Sequence, residues 1–280
     1  MAAIKPRYVD IHAHVNFADF DADRAETVKR ALDAGVWMIN VGTGQATSRK
    51  AVEMTREFST GVYAIVGLHP IHAVESRGEA AEDFDPAFYR DLARQGGAKV
   101  VGIGECGLDY IAAVTAEDKA RQEKAFRAQI ELALELDLPL MLHIRSGDGG
   151  NAYRDALAVL REYKAKLETE GRGERLRGDA HFFAGTVENA REYLALGFHL
   201  SYTGVVTFAK QYVELVQATP MDRIMSETDS PYVAPVPERG KRCEPAFVVH
   251  TAEKILAIKG VMPEEGRRQL VENAFRLWRL

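Results

Sequence analysis

Five histidines and two carboxylates stand where short apolar runs end: His12 and His14 in VDIHAHV, His69 in GLHP, Glu105 in GIGE, His143 in LPLMLHI, His181 in GDAHFF and Asp229 in DRIMSETD. Imidazole and carboxylate are the usual protein ligands of divalent cations. In a strand, side chains alternate between faces, so Asp10, His12 and His14 share one side while Val9, Ile11 and Ala13 take the other. Two imidazoles on one side can grip an ion. An isolated H-x-H could equally be one hydrogen-bonded core histidine beside one solvated histidine, and the wider set separates these readings. Seven such groups buried together would lack partners at considerable cost, and metal ions supply those partners. Asp10 could then accept a ring N–H from a ligating histidine. His69 could instead hold a turn or contact phosphate. His72, His199 and His250 fall outside the set, in a loop, at a strand start and in a helix.

The elements that must position these groups are legible as short β-branched runs alternating with helical patterns, the order of a parallel sheet built from βα units. Strands are expected over 7–14, 37–43, 61–70, 98–105, 138–144, 178–183, 198–204 and 222–229. The clearest helix is 119–136, with Phe126, Ile130, Ala133 and Leu134 along one face. Eight strands with intervening helices fit an α/β fold of the (β/α)8 TIM-barrel type in a single domain spanning 1–280. No G-x-G-x-x-G opens the first βα unit, which disfavours a doubly wound sheet. A barrel's site lies at the C-terminal ends of its strands, where the seven groups fall. Residues 230–245, SPYVAPVPERGKRCEP, are too rich in proline for helix or strand and read as a long loop after the eighth strand.

The bulk composition bounds the function. The 280 residues are 46% hydrophobic with a net charge of −5, which opposes a broad basic surface for duplex nucleic acid and leaves room for a focal contact. Two cysteines form no disulfide framework, no apolar leader is visible in the first 30 residues, and no run approaches a membrane span. A cytoplasmic, monomeric enzyme with no membrane association is the expectation.

The motifs DIHAHV, GLHP, GECGLDY, LPLMLHIRS, HFFAGT, TGVVTF, ETDSPYVAP and RGKRCEPAFV occur in order, and this pattern resembles the TatD family of metal-dependent deoxyribonucleases, within the amidohydrolase-like TIM barrels. The resemblance runs from about residue 7 to the C-terminus. It implies two or three divalent ions and metal-dependent hydrolysis of phosphodiesters, with 3′ to 5′ exonuclease action on single strands. By motif, His12, His14, Glu105 and Asp229 would hold one ion and Glu105, His143 and His181 a second, with Glu105 bridging. The chain departs from the family at Cys106, where isoleucine is common, in HFFAG for HCFSG, and at Cys243, where asparagine is common. None of these removes a proposed ligand. Cys106 should point away from the site, and Cys243 puts in doubt whatever substrate contact the asparagine would make.

Two ions sharing a carboxylate can activate water for in-line attack at phosphorus. Glu105 and Asp229 are thus the candidate catalytic carboxylates, Glu105 bridging and Asp229 orienting or deprotonating the water. Imidazole favours zinc or manganese and carboxylate magnesium or manganese; the resemblance favours Mg²⁺ or Mn²⁺ in use, with Zn²⁺ possible. His69, Arg145, Arg239, Lys241 and Arg242 are candidate contacts for the phosphates of a single-stranded DNA or RNA substrate. Of Tyr110, Phe182, Phe183, Tyr202, Phe208 and Tyr232, one or two could stack on bases. An amide or ester hydrolase, such as a D-aminoacyl-tRNA deacylase, is the alternative enzyme, and a non-catalytic nucleic-acid-binding module the alternative outside enzymes.

Overall fold

A computed structural model describes residues 5–76, 78 and 80–280. Eight strands run in the order of the chain, every neighbouring pair parallel: β1 (Tyr8–Ala13), β2 (Val36–Val41), β3 (Val62–Val66), β4 (Val100–Asp109), β5 (Leu140–Arg145), β6 (Gly178–Ala180), β7 (His199–Tyr202) and β8 (Ile224–Ser226). The sheet curls until its first and last strands meet. Ala13 bridges Ser230, the His14 amide donates to the Ser230 carbonyl at 2.8 Å, and the Asp229 amide donates to the His12 carbonyl at 2.9 Å. This is the TIM barrel that the alternation of elements implies, nearly closed by its ladders and joined at the β8–β1 seam by these contacts.

Nine α-helices among the described residues surround it: α1 (Arg24–Asp33), α2 (Gln45–Thr55), α3 (Pro86–Gly96), α4 (Ala116–Leu136), α5 (Ala152–Thr169), α6 (Val187–Ala195), α7 (Tyr212–Ala218), α8 (Val248–Lys259) and α9 (Pro263–Trp278). None is long and apolar enough to cross a membrane. α4 starts three residues before the helix expected from its apolar face, because Thr115 caps it by accepting the Asp118 amide at 3.1 Å. Two glutamines on its buried face reach past the apolar stripe. Gln122 accepts the Asp109 amide at 2.9 Å and donates to the Pro70 carbonyl at 3.0 Å, while Gln129 accepts from and donates to Leu68 at 2.9 Å each. One helix thereby fixes two mouth turns, those carrying Asp109 and His69. Val9, Ile11, Ile39, Val41, Tyr63 and Ile65 form a separate apolar cluster with Trp278 of α9.

The strand ends differ from expectation in ways that matter to the site. β4 continues to Asp109, so Glu105 lies inside a strand. β6 stops at Ala180 and β8 at Ser226, leaving His181 one residue and Asp229 three residues beyond the ladder. His69 caps a 3-10 helix over Pro70–Ala73 that also contains His72. The proline-rich segment runs without helix or strand as far as a 3-10 turn at Pro245–Phe247.

Candidate metal centre

Glu105 reaches the mouth because β4 is irregular around it. The register with β5 shifts between Gly104 and Cys106, as at a bulge that re-aims a side chain. The flanking glycines are obligatory: a Cβ on Gly104 (φ 142°) would lie 2.3 Å from the Met141 carbonyl oxygen, and one on Gly107 (φ 141°) 2.1 Å from that of His143. β4 can therefore press against β5, which brings Glu105 to His143. Cys106 packs away, fully buried in the main core.

Two nests of donor atoms form around Glu105, one for each carboxylate oxygen. In the first, His12 Nε2 lies 3.1 Å from His14 Nε2, 3.4 Å from Glu105 Oε2 and 3.8 Å from Asp229 Oδ1. His14 Nε2 is 3.4 Å from Asp229 Oδ1 and 3.8 Å from Glu105 Oε2. Tetrahedral ligands at ~2.1 Å from a cation stand about 3.4 Å from one another, close to these separations. His14 Nδ1–H donates to the Val41 carbonyl at 2.9 Å, so in the neutral ring Nε2 is a lone pair aimed into the nest. Burial, with His181 alongside, pulls His12 down to about 3, which keeps it neutral at physiological pH. Lone pairs facing carboxylates at these distances repel unless a cation lies among them. The residues present fit one.

The second nest gathers His143 Nδ1 and His181 Nε2, at 2.8 and 2.7 Å from Glu105 Oε1 and 3.4 Å from each other. On the far side of its ring, His143 Nε2 meets Asp109 Oδ2 at 3.1 Å, which fixes the tautomer that leaves Nδ1 free for an ion. Burial opposes protonation of His143, but hydrogen bonds to Asp109 and Glu105 outweigh it and raise the group to about 9. Burial likewise opposes ionisation of Glu105, yet His69, His181 and His12 around it hold it well below the usual carboxylate value.

His69 stands apart although its Nε2 is 3.3 Å from Glu105 Oε1. Its Nδ1 accepts the Ile71 amide at 3.0 Å, and burial with His143 nearby lowers the ring to about 4. The single ring proton is therefore on Nε2, which makes His69 a hydrogen-bond donor toward the centre rather than a ligand. Asp10 does not accept the ring N–H that the sequence allows. Its oxygens take the Thr228 amide at 2.9 Å, the Thr228 hydroxyl at 2.5 Å and the His12 backbone amide at 3.3 Å, while among the described residues His12 Nδ1 has no hydrogen-bond partner. Asp10 fixes the seam instead.

A pocket of about 970 Å³ opens over the two nests, with Glu105, His143, His181 and Asp229 in its wall, at the upper end of the range for small-molecule sites. Arg145 lines it and is about half exposed, 3.9 Å from Asp109. The loop cations do not reach its wall. Arg242 pairs with both oxygens of Asp23 at 2.8 and 2.7 Å, Lys241 with Glu238 at 2.5 Å, and Arg239 lies 4.1 Å over the Phe208 ring while donating to the Ala234 carbonyl. Helix α1 supplies the neighbourhood that draws Arg242 away, a contact that spacing along the chain does not reveal. Of the six aromatics, Phe182 and Tyr232 line the pocket. Tyr110, Phe183 and Tyr202 are buried, and Phe208 carries Arg239. Cys243 is fully buried, both cysteines are free, and the position cannot touch a substrate in the pocket.

Sequence reasoning overlooked Asp109 and Glu227. Asp109, the third residue of GLDY and the last of β4, shares strand parity with Glu105, so alternation alone could have marked it. Glu227, two residues before Asp229, is buried behind His181, its Oε2 3.8 Å from His181 Nδ1. Burial raises both acids, Asp179 to about 7, and the charges of Asp179 and Asp229 add to the rise at Glu227, so the two acids share one proton rather than carry two charges.

This arrangement matches a known family. Residues 9–279 fit the model of the TatD related DNases. The chain belongs to the TatD family. A protein of Bacillus subtilis (strain 168) described as an uncharacterized metal-dependent hydrolase, YabD, is 38% identical over 97% of this chain and 98% of its own length. The 3′-5′ ssDNA/RNA exonuclease TatD of Erwinia billingiae (strain Eb661) is 34% identical over 97% and 98%. Among solved structures, a TatD homologue from Escherichia coli k12 superimposes with a TM-score of 0.82 at 22% identity, covering 99% of both chains, which attests to the shared fold. This TatD chain is thus a metal-dependent hydrolase, with the two donor nests as its candidate ion sites.

Proposed function

We propose that this protein is an exonuclease that removes nucleotides from the 3′ end of single-stranded DNA or RNA. The observation that carries the reading is Glu105, whose two oxygens face separate donor nests at the floor of one pocket. His12, His14, Glu105 and Asp229 would hold one divalent ion, and Glu105, His143 and His181 the other. Ions so held supply a nucleophile from water at neutral pH and positive charge for the phosphoryl oxygens. Asp229, which joins the first nest and also lines the pocket, is placed to take the water's proton. His69 Nε2–H and the Arg145 guanidinium are donors for phosphate oxygens, and Phe182 and Tyr232 offer faces for unpaired bases. The 3′-5′ exonuclease names borne by relatives at 34% identity support the polarity and the substrate class. A pocket, rather than an open groove, favours a flexible end over a duplex, which would have to be unpaired at a cost of a few kcal/mol.

The test is a set of substrates of one sequence: 5′-labelled linear single strand, blunt duplex and circular single strand, each with Mg²⁺, Mn²⁺ or EDTA. The expected result is a ladder shortening from the 3′ end of the linear strand, slow loss of the duplex, a resistant circle and no products in EDTA. Rapid cleavage of the circle would refute end-dependence, and cleavage in EDTA would refute metal dependence.

A further inference from the structure

Behind His181, side chains from β6, β7 and the residue after β8 form a buried chain of oxygens that the metal-centre reading leaves unused. Ser201 Oγ lies 2.5 Å from Asp179 Oδ2 and 3.0 Å from Glu227 Oε2. Glu227 Oε1 accepts the Phe182 amide at 2.5 Å, and its Oε2 faces His181 Nδ1 at 3.8 Å. Asp179, Ser201 and Glu227 are all fully buried, and among the described residues Asp179 Oδ1 and His181 Nδ1 have no hydrogen-bond partner.

Counting protons orders this chain. A hydroxyl has one proton to give, so Ser201 can donate to only one of the two acids, and the other must donate to Ser201 Oγ through its own O–H. The acid that keeps the charge needs donors on both oxygens, because a buried carboxylate oxygen without one is costly. Glu227 has the Phe182 amide at one oxygen and Ser201 at the other, where the His181 ring edge stands 3.8 Å off, beyond hydrogen-bond length. Asp179 has an oxygen with none, tolerable on a neutral acid. The direction is therefore Asp179 O–H to Ser201 O–H to Glu227.

We propose that Glu227 is the positioning residue for His181: backed by Ser201 and Asp179, its Oε2 closes from 3.8 Å on the ring's Nδ1–H as hydrogen-bond acceptor and so reserves His181 Nε2 as the lone pair presented beside Glu105. The inference rests on the metal-centre reading. It accounts for the buried acids on β6 and just past β8, and for why Glu227 pins the backbone at Phe182, immediately after the ligand.

The order of donors makes the two acids respond differently to the same change. An amide at 179 still donates to Ser201, whereas an amide at 227, in either orientation, turns an N–H toward a donor, the Phe182 amide on one side or Ser201 and the His181 edge on the other. The test measures Zn²⁺ binding to the full-length protein by calorimetry and elemental analysis, with thermal unfolding of the metal-free forms as a control on folding. Asp179→Asn should bind Zn²⁺ within about twofold of wild type, and Glu227→Gln should bind at one site about 10- to 100-fold more weakly, the usual effect of losing a ligand's hydrogen-bond partner. In the wild type loaded with Zn²⁺, ¹⁵N spectra of the histidine rings should show His181 protonated at Nδ1, an observation that stands even if Glu227→Gln fails to fold. Equal losses in both variants, the reverse asymmetry, or an Nε2-protonated His181 would overturn the inference while leaving the metal centre intact. A wild type that takes up no Zn²⁺ would overturn both.

Discussion

At the scale of single residues, Glu105 carries the most weight, since its two oxygens serve both nests and no other side chain among the described residues contributes to each. Glu105→Gln preserves volume but replaces one oxygen with an N–H donor that faces either two imidazoles and Asp229 or the pair His143 and His181. Expected are loss of at least one bound ion by elemental analysis and a fall in kcat of more than ~100-fold, beyond what losing an outer partner of a ligand does, with the far-ultraviolet circular dichroism unchanged. Wild-type rate and metal content in this variant would remove Glu105 from the centre. Glu105 and the paired histidines were legible in the sequence because such residue types are rare at the ends of apolar runs and have few inexpensive uses there. Asp109 is marked only by its strand parity with Glu105, and Glu227 by nothing in the sequence, because each faces another residue's ring, His143 or His181. The cost of burying Glu227 becomes visible only when β6, β7 and β8 come together around it.

At the scale of elements, the contrast is between β5, whose C-terminal residue Arg145 opens into the pocket, and the loop after β8, whose cations are committed elsewhere. The strands and the long loop could be read from alternation and proline content. The destination of Arg242 could not, because it depends on where α1 packs. Two variants separate the roles, read by anisotropy of a labelled single strand over a range of salt concentrations in a Glu105→Gln background that suppresses turnover. Arg145→Gln should lower the slope of log K against log salt by about 0.7, the value of one phosphate contact on a single strand. Arg242→Gln should leave the slope alone and cost at most about 1 kcal/mol of stability, since its pair with Asp23 is partly exposed. A slope that drops for Arg242→Gln and not for Arg145→Gln would return the substrate strand to the loop.

At the scale of the whole molecule, the first nest straddles the place where the barrel closes. His12 comes from β1 and His14 from just beyond it, early in the chain, and Asp229 from just beyond β8, near its end, while β8 has only three residues in its ladder. The seam depends on a few contacts, the backbone bonds from the Asp229 amide to His12 and from the His14 amide to Ser230, and the Thr228 amide and hydroxyl donating to the Asp10 carboxylate. An ion bound by His12, His14 and Asp229 would staple both ends of the sheet, so metal affinity and barrel closure are linked. At a concentration 100-fold above Kd, one site adds about 2.7 kcal/mol of stability, which for a chain of 280 residues raises Tm by roughly 4–5 °C. EDTA should therefore lower Tm by that amount, and hydrogen exchange should accelerate first at the His14 and Asp229 amides rather than uniformly around the barrel. A Tm that falls with no local change at these two amides would mean that the ion stabilises the molecule without holding the seam. An unchanged Tm, with metal loss verified by elemental analysis, would mean that the barrel closes without the ion.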